Sequence, residues 1–131
     1  MQLPPDFRPQ PKRLAAFLDA APRERRWAVE FRDRRWLCDE VFAVLRAHRA
    51  ALCVHDMIED HPRVVTASWV YLRFHANRYA GSYSAQYLAA RAREIRAYLA
   101  DGLDVYAYFN NDIDGHAVHN ALDLRRYVVQ V

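Results

Sequence analysis

The hydrophobic pattern along this 131-residue chain changes period repeatedly. Stretches with apolar residues at every third or fourth position alternate with stretches where they fall at every second, the signatures of helix and strand. Residues 13–21, "RLAAFLDAA", place Leu14, Phe17, Leu18 and Ala21 on one helical face. Residues 27–32, "WAVEFR", predict a strand. Residues 38–48, "CDEVFAVLRAH", predict a helix with Val41, Val44, Leu45 and His48 turned inward. A strand at 51–56, "ALCVHD", is followed by a connection at 57–68 that is too short for a full helix and is broken at Pro62. Residues 69–75, "WVYLRFH", predict the next strand. The clearest helix is 84–102, where Leu88, Ala92, Ile95 and Leu99 recur at helical spacing. Ser84 is placed to cap its start, and Gly102 to close it in the left-handed conformation. A strand at 104–111, "DVYAYFNN", and a helix at 115–129 complete the chain. Strands alternating with helices predict an α/β fold around a parallel sheet.

Side chains alternate across a strand, so each predicted strand divides into two faces. Val29 and Phe31 oppose Glu30 and Arg32; Val70, Leu72 and Phe74 oppose Tyr71, Arg73 and His75; Val105, Ala107 and Phe109 oppose Tyr106, Tyr108 and Asn110. The strand at 51–56 divides less cleanly, with Leu52, Val54 and Asp56 against Ala51, Cys53 and His55. One face is apolar throughout, as a helix layer requires, while the other grows polar toward the C-terminal ends. An open doubly wound sheet needs both faces apolar. The inner layer of a β/α barrel does not, and in barrels the strand C-termini and their loops build the site. Glu30, Arg32, Asp56, Arg73, His75 and Asn110 occupy that position. The competing reading is structural: Glu30 pairs with Arg73 and the pair locks the strand register.

Composition narrows the picture. A chain of 131 residues, 53% apolar and with only three glycines, predicts one folded domain over residues 1–131. No apolar run reaches the ~20 residues needed to cross a bilayer. The first residues, "MQLPPDFRPQPKRL", lack a signal peptide's order, so the expected location is cytoplasmic. Cys38 and Cys53 sit in apolar contexts and are expected as buried free thiols. The net charge of +3 is too small to announce a nucleic-acid partner by itself. Its cations are nearly all arginine, clustered in "RERR" (residues 23–26) and "RDRR" (residues 32–35). The expected reading of these clusters is a solvated rim interleaved with Glu24 and Asp33; contact with phosphate is the alternative.

Four motifs carry a family resemblance. "QLPPDF", "VEFRDRRW", "VYLRFHANRYAGSYS" and "VYAYFNND…HNAL" resemble, in order, those of the YecE-like proteins (domain of unknown function 72). The resemblance implies a TIM-type β/α barrel with no established reaction. It matches Gln2, Leu3, Pro4 and Pro5 to a strand end; Glu30, Phe31, Arg32 and Trp36 to "EFR…W"; and Arg73, His75 and Tyr83 to "R-x-H-G" and the tyrosine that follows. Phe109, Asn110, Asn111 and Asp112 match "FNND", and Asn120 and Ala121 match the "NA" of the last helix. Asp33 and Arg34 replace the family's His-Pro, and Ala76 replaces its glycine. Family members are about twice as long, so the resemblance implies a partial TIM-type barrel, about half of one. It also implies an inner face to be closed by self-association or by a separate N-terminal half.

These residues point to three chemistries. Arg32 and Arg73 can clamp an anion, with Tyr83, Asn110, Asn111 and Asp112 as further ligand contacts. His75 can move protons near neutral pH, with Glu30 and Asp56 as base or orienting groups. That combination predicts a small anionic, phosphate-bearing ligand, with hydrolase-type chemistry in a completed barrel. Metal binding by Glu30, Asp56, His75 and His55 lacks a supporting spacing, and no cofactor is expected. His116 and His119, one turn apart, are expected as surface residues. A non-catalytic nucleic-acid or protein-binding module, or an inactive remnant, is the remaining alternative. Tyr79 and Tyr83 are candidates for a lid, and Asp112 or Asp114 for a helix cap.

Overall fold

The computed structural model describes residues 1–76 and 80–130. Helix α1 (Pro11–Ala20) precedes β1 (Ala28–Val29), α2 (Asp39–Ala47), β2 (Ala51–His55), β3 (Trp69–Phe74), α3 (Ala85–Ala100), β4 (Asp104–Phe109) and α4 (His116–Val129). The strands form one four-stranded sheet in the order β1-β2-β3-β4, every neighbouring pair parallel. Gln2 adds a parallel bridge to Glu30 at the β1 edge. Helices supply the connections except between β2 and β3, where residues 56–68 cross without one. Thr66 anchors that crossing: its hydroxyl accepts from Leu52 N–H at 2.9 Å and donates to the Ala50 carbonyl at 2.6 Å.

Local chemistry sets the helix ends. Pro11 sits in the first turn of α1, where a missing N–H costs nothing. Asp39 and Glu40 face the positive end of α2. Ser84 accepts from Tyr87 N–H at 3.1 Å, and Gly102 takes φ 78° after α3, both as the sequence predicts. At α4 the expected acidic cap is absent: Gly115, which has no side chain to accept, holds the N-cap position, and Asp112 makes no side-chain cap bond.

The core lies in two groups on the helix side of the sheet. One packs α1 and α2 on β1 and β2, centred on Val29, Phe31, Trp36, Val41 and Leu45. Trp36 stacks on Phe31 with ring centroids 4.9 Å apart and donates its indole N–H to the Phe7 carbonyl. The other packs α3 and α4 on β3 and β4 through Leu72, Phe74, Leu88, Ala92, Ile95 and Leu124. Each fully buried large side chain contributes about 1.5–3 kcal/mol.

Three expectations are corrected. The strand expected at 27–32 pairs as a strand only at Ala28–Val29. Beyond Glu30, Arg32 turns back to bond its carboxylate, and Asp33 caps a 3-10 turn (Arg34–Trp36) that leads the chain out of the ladder. His48 does not enter the core: it ends α2, half-buried, between the Val44 carbonyl at 2.8 Å and Asp19 at 2.9 Å. Leu99, expected on the inward face of α3, is 46% exposed.

Candidate functional site

Strand pairing carries the polar residues to two places at the C-terminal ends. The first is the sheet face turned away from the helices. Glu30 is 2% exposed there, and Arg32 and Arg73 both donate to it, Arg32 through Nε and Arg73 through Nη1 at 2.6 Å. Cys53 donates its thiol to the same carboxylate at 3.4 Å. Arg73 reaches further, to Asn110 Oδ1 at 2.9 and 3.1 Å and to Gln2 Oε1 at 3.4 Å. One guanidinium thus ties three strands and the N-terminal segment. Burial alone would raise the Glu30 carboxyl; the hydrogen bonds from Arg32 and Arg73 outweigh it and hold the group below its ordinary range. Burial pushes the Cys53 thiol up, which leaves it protonated and unreactive. Among the described residues, two cations share the one Glu30 carboxylate on a partly accessible face.

The second place is the turn after β3. Asp56 accepts from the backbone N–H of His75 at 2.8 Å and of Ala76 at 3.2 Å. The Tyr83 hydroxyl accepts from Ala76 N–H at 2.6 Å and donates to Asp56. His75 is fully buried, its Nδ1 3.4 Å from Asp56. Burial would raise Asp56 as well, yet these donors hold it below the usual carboxylate range, while burial and the neighbouring carboxylate push the Tyr83 phenol up. Ala76 has φ 53°, the left-handed conformation that glycine adopts without cost. The turn is therefore kept without glycine, and the Asp56–Tyr83 clasp on the Ala76 N–H secures it.

His55 stands between the two clusters. Its ring lies 6.0 Å from His75, and its Nε2 is 2.7 Å from the Phe31 carbonyl. His61, which sequence reasoning passed over, packs on it at 4.7 Å. Burial lowers both imidazoles, His61 to about 4, so both are neutral at pH 7. No signal in the sequence pairs two histidines across a loop of this kind.

The predicted residues thus divide. Glu30, Arg32, Arg73 and Asn110 form one bonded group, and Asp56, His75 and Tyr83 another. Asn111 is not at the mouth: it is fully buried, and its amide donates to the Gly81 carbonyl and to Asn120 Oδ1, both at 2.9 Å. Asn120 also accepts from Tyr83 N–H at 3.1 Å, so these two asparagines fasten the β3–α3 loop to α4. Asp112 is exposed and bridges nothing among the described residues. Tyr79, the other lid candidate, lies outside the described residues. A cavity of ≈ 430 Å³ on the open face is lined by Glu30, Cys53, Tyr71 and Arg73, and a second of ≈ 320 Å³ by His55, Asp56, His61 and Arg73. Arg73 borders both. Among the described residues, no group of three His, Cys, Asp or Glu is arranged to hold a metal, and no helix is long and apolar enough to cross a membrane.

Parallel strands alternating with helices, with polar side chains gathered at the strand C-termini, define a sector of a TIM-type β/α barrel. The chain belongs to the family described as "Protein of unknown function DUF72", which it matches over residues 1–130. It is similar to the crystal structure of a DUF72 family protein from Thermotoga maritima, with a TM-score of 0.86 and 25% identity over 98% of this chain and 56% of that one. Two structures of a DUF72 family protein from Enterococcus faecalis share the fold at 20% identity. Their TM-scores are 0.80 and 0.77 over 99% of this chain, and it covers 57% and 60% of theirs. The chain thus spans a little over half the length of these solved relatives. No curated protein matches it.

Proposed function

We propose that the open-face cluster of Glu30, Arg32, Arg73 and Asn110 binds a small anionic, phosphate-bearing ligand at the strand C-termini. The observation that supports this is the donor set: two guanidiniums share one buried carboxylate, with a side-chain amide beside it. His75, oriented by Asp56, is the proton carrier for hydrolase-type chemistry once further β/α units, from a second copy or a separate segment, close the inner face. The test is a thermal-shift titration with inorganic phosphate. The parent chain stabilises saturably, and Arg32→Ala and Arg73→Ala lose the response. An undiminished response in both variants contradicts the proposal.

A second reading rests on the reach of Arg73. It bonds Gln2, Glu30 and Asn110 together, as a register lock would. A lock alone predicts that Arg73→Ala lowers the melting temperature while the parent shows no response to phosphate at all.

A further inference from the structure

The N-terminal ends of the strands hold a second group of arginines, separate from the cluster around Glu30. The α1–β1, α2–β2 and β2–β3 connections meet there around a concavity of ≈ 480 Å³. Arg23, Arg25 and Arg49 line it, and Leu18, Ala21, Trp27 and Ala47 give it apolar walls. Apart from Ser68 and Trp69, its lining residues lie between the last turn of α1 and the start of β1 or at the end of α2. None of those is a strand residue, so the concavity does not depend on the open sheet face. Arg25 also borders the open-face cavity, while Arg23 and Arg49 stand clear of it.

Most other charges in the concavity are already matched. Arg26 pairs with Asp104 at 2.8 Å and lies over the Trp69 ring. Asp19 is taken by His48 at 2.9 Å. The Val44 carbonyl and Asp19 favour the charged form of that imidazole, and Arg23 is near enough to oppose it. Arg23, Arg25 and Arg49 are exposed and form no ion pair among the described residues. Glu24 is the carboxylate that remains against them.

Arg49 stands where the backbone asks for glycine. Ala50 N–H bonds the Leu45 carbonyl at 2.9 Å and Arg49 N–H the Arg46 carbonyl at 3.2 Å, the paired bonds of a Schellman ending. Arg49 has φ 55°, left-handed and unfavourable for a residue with a Cβ. The equivalent ending of α3 uses Gly102 at φ 78°, with Leu103 N–H on the Tyr98 carbonyl at 3.0 Å. A cation past the end of α2 suits the helix dipole, but Arg46 in the last turn already supplies one. Arginine is therefore held at a strained position in a basic concavity, and strain of this kind collects at functional positions.

A guanidinium meets a phosphate group with two parallel N–H bonds. A chain of linked phosphates offers one such group to each arginine. The concavity has the volume of a small-molecule site, and the three arginines gather on that one hollow. From this we infer that it binds an oligophosphate, as an inorganic phosphate chain or as the triphosphate of a nucleotide, through Arg23, Arg25 and Arg49. This inference does not rest on the anion site at the strand C-termini.

The test is an NMR titration of the ¹⁵N-labelled full chain with inorganic tripolyphosphate, with ATP, monophosphate and a single-stranded oligonucleotide as comparators. Saturable shifts are expected at the Arg23, Arg25 and Arg49 Nε–H signals, the His48 ring and the Trp27 indole N–H. Tripolyphosphate should bind there about tenfold or more tightly than monophosphate. Arg32 and Arg73 signals report the other site, so either reading can fail alone. ATP binding more tightly than tripolyphosphate assigns the site to a nucleotide; equal or weaker binding assigns it to the phosphate chain. The combined Arg23→Ala and Arg25→Ala variant, followed at His48 and Trp27, should bind tripolyphosphate about tenfold more weakly. Arg49→Gly alone should raise the melting temperature, because the strain is relieved, while its affinity falls about threefold. The inference is overturned if these signals show no saturable shift, if monophosphate binds as tightly as tripolyphosphate, if the oligonucleotide binds more tightly than either oligophosphate, or if Arg49→Gly leaves affinity unchanged.

Discussion

The Glu30 and Asp56 carboxylates end on the same side of the fold, yet they are stabilised in opposite ways. Glu30 is held by two full charges, the guanidiniums of Arg32 and Arg73. Asp56 is held by hydrogen-bond donors rather than by arginines: the His75 imidazole, the Tyr83 hydroxyl and two backbone N–H groups. The first arrangement sets two cations on one carboxylate beside open space, so it serves recognition. The second consumes its donors in fixing a turn, so it serves position, holding His75 and the left-handed Ala76 in place. Similar depression of two carboxyls thus marks a binding centre in one case and a clasp in the other.

Removing each carboxylate should separate them, and the largest effect is expected at Glu30. Glu30→Ala leaves two guanidiniums facing each other with little water, and should cost about 3–5 kcal/mol in denaturant unfolding. A loss below about 1 kcal/mol would mean that the cluster is solvated and adds little. Asp56→Asn weakens the bonds to His75 and Ala76 and should cost about 2 kcal/mol. Its signature is faster hydrogen exchange at those two amides, with exchange around Glu30 unchanged.

Acid should affect the same end of the fold through its histidines. His61 is neutral when folded and titrates near 4, below its ordinary value of 6.5. Between those values the unfolded chain binds the extra proton, so stability is full above about pH 6.5 and falls as pH drops toward 4. The loss due to His61 should be on the order of 3 kcal/mol, and His61→Leu should flatten the stability curve in that window. Glu30 and Asp56 act lower: their contribution is present above about pH 4 and disappears as pH falls through their depressed folded values. The smallest effect is expected at the turn, where Ala76→Gly should stabilise by about 0.5–1 kcal/mol by relieving the positive φ.

Features governed by local rules could be read from the sequence. Ser84 and Gly102 bound α3 as their chemistry dictates, and strand parity places Glu30 and Arg73 on one face. Even their pairing was one of the two readings available. Groups assembled from distant backbone were hidden. Nothing in "FNND" shows that Asn111 turns inward to Asn120 while Asn110 turns to Arg73. Nothing in "CVHD" shows that Asp56 receives the next strand's N–H groups. The missing glycine after α2 was in plain view, but only the left-handed φ of Arg49 gives it meaning.

The most direct measurement is an NMR titration of the ¹⁵N-labelled chain with inorganic phosphate, following side-chain resonances. Saturable shifts of the Arg32 and Arg73 Nε–H signals and of the Asn110 amide, with the Ala76 amide unmoved, are the predicted result. Shifts confined to the Asp56 turn, or no saturable shift at Arg32 and Arg73, would contradict the division between a charged binding centre and a structural clasp.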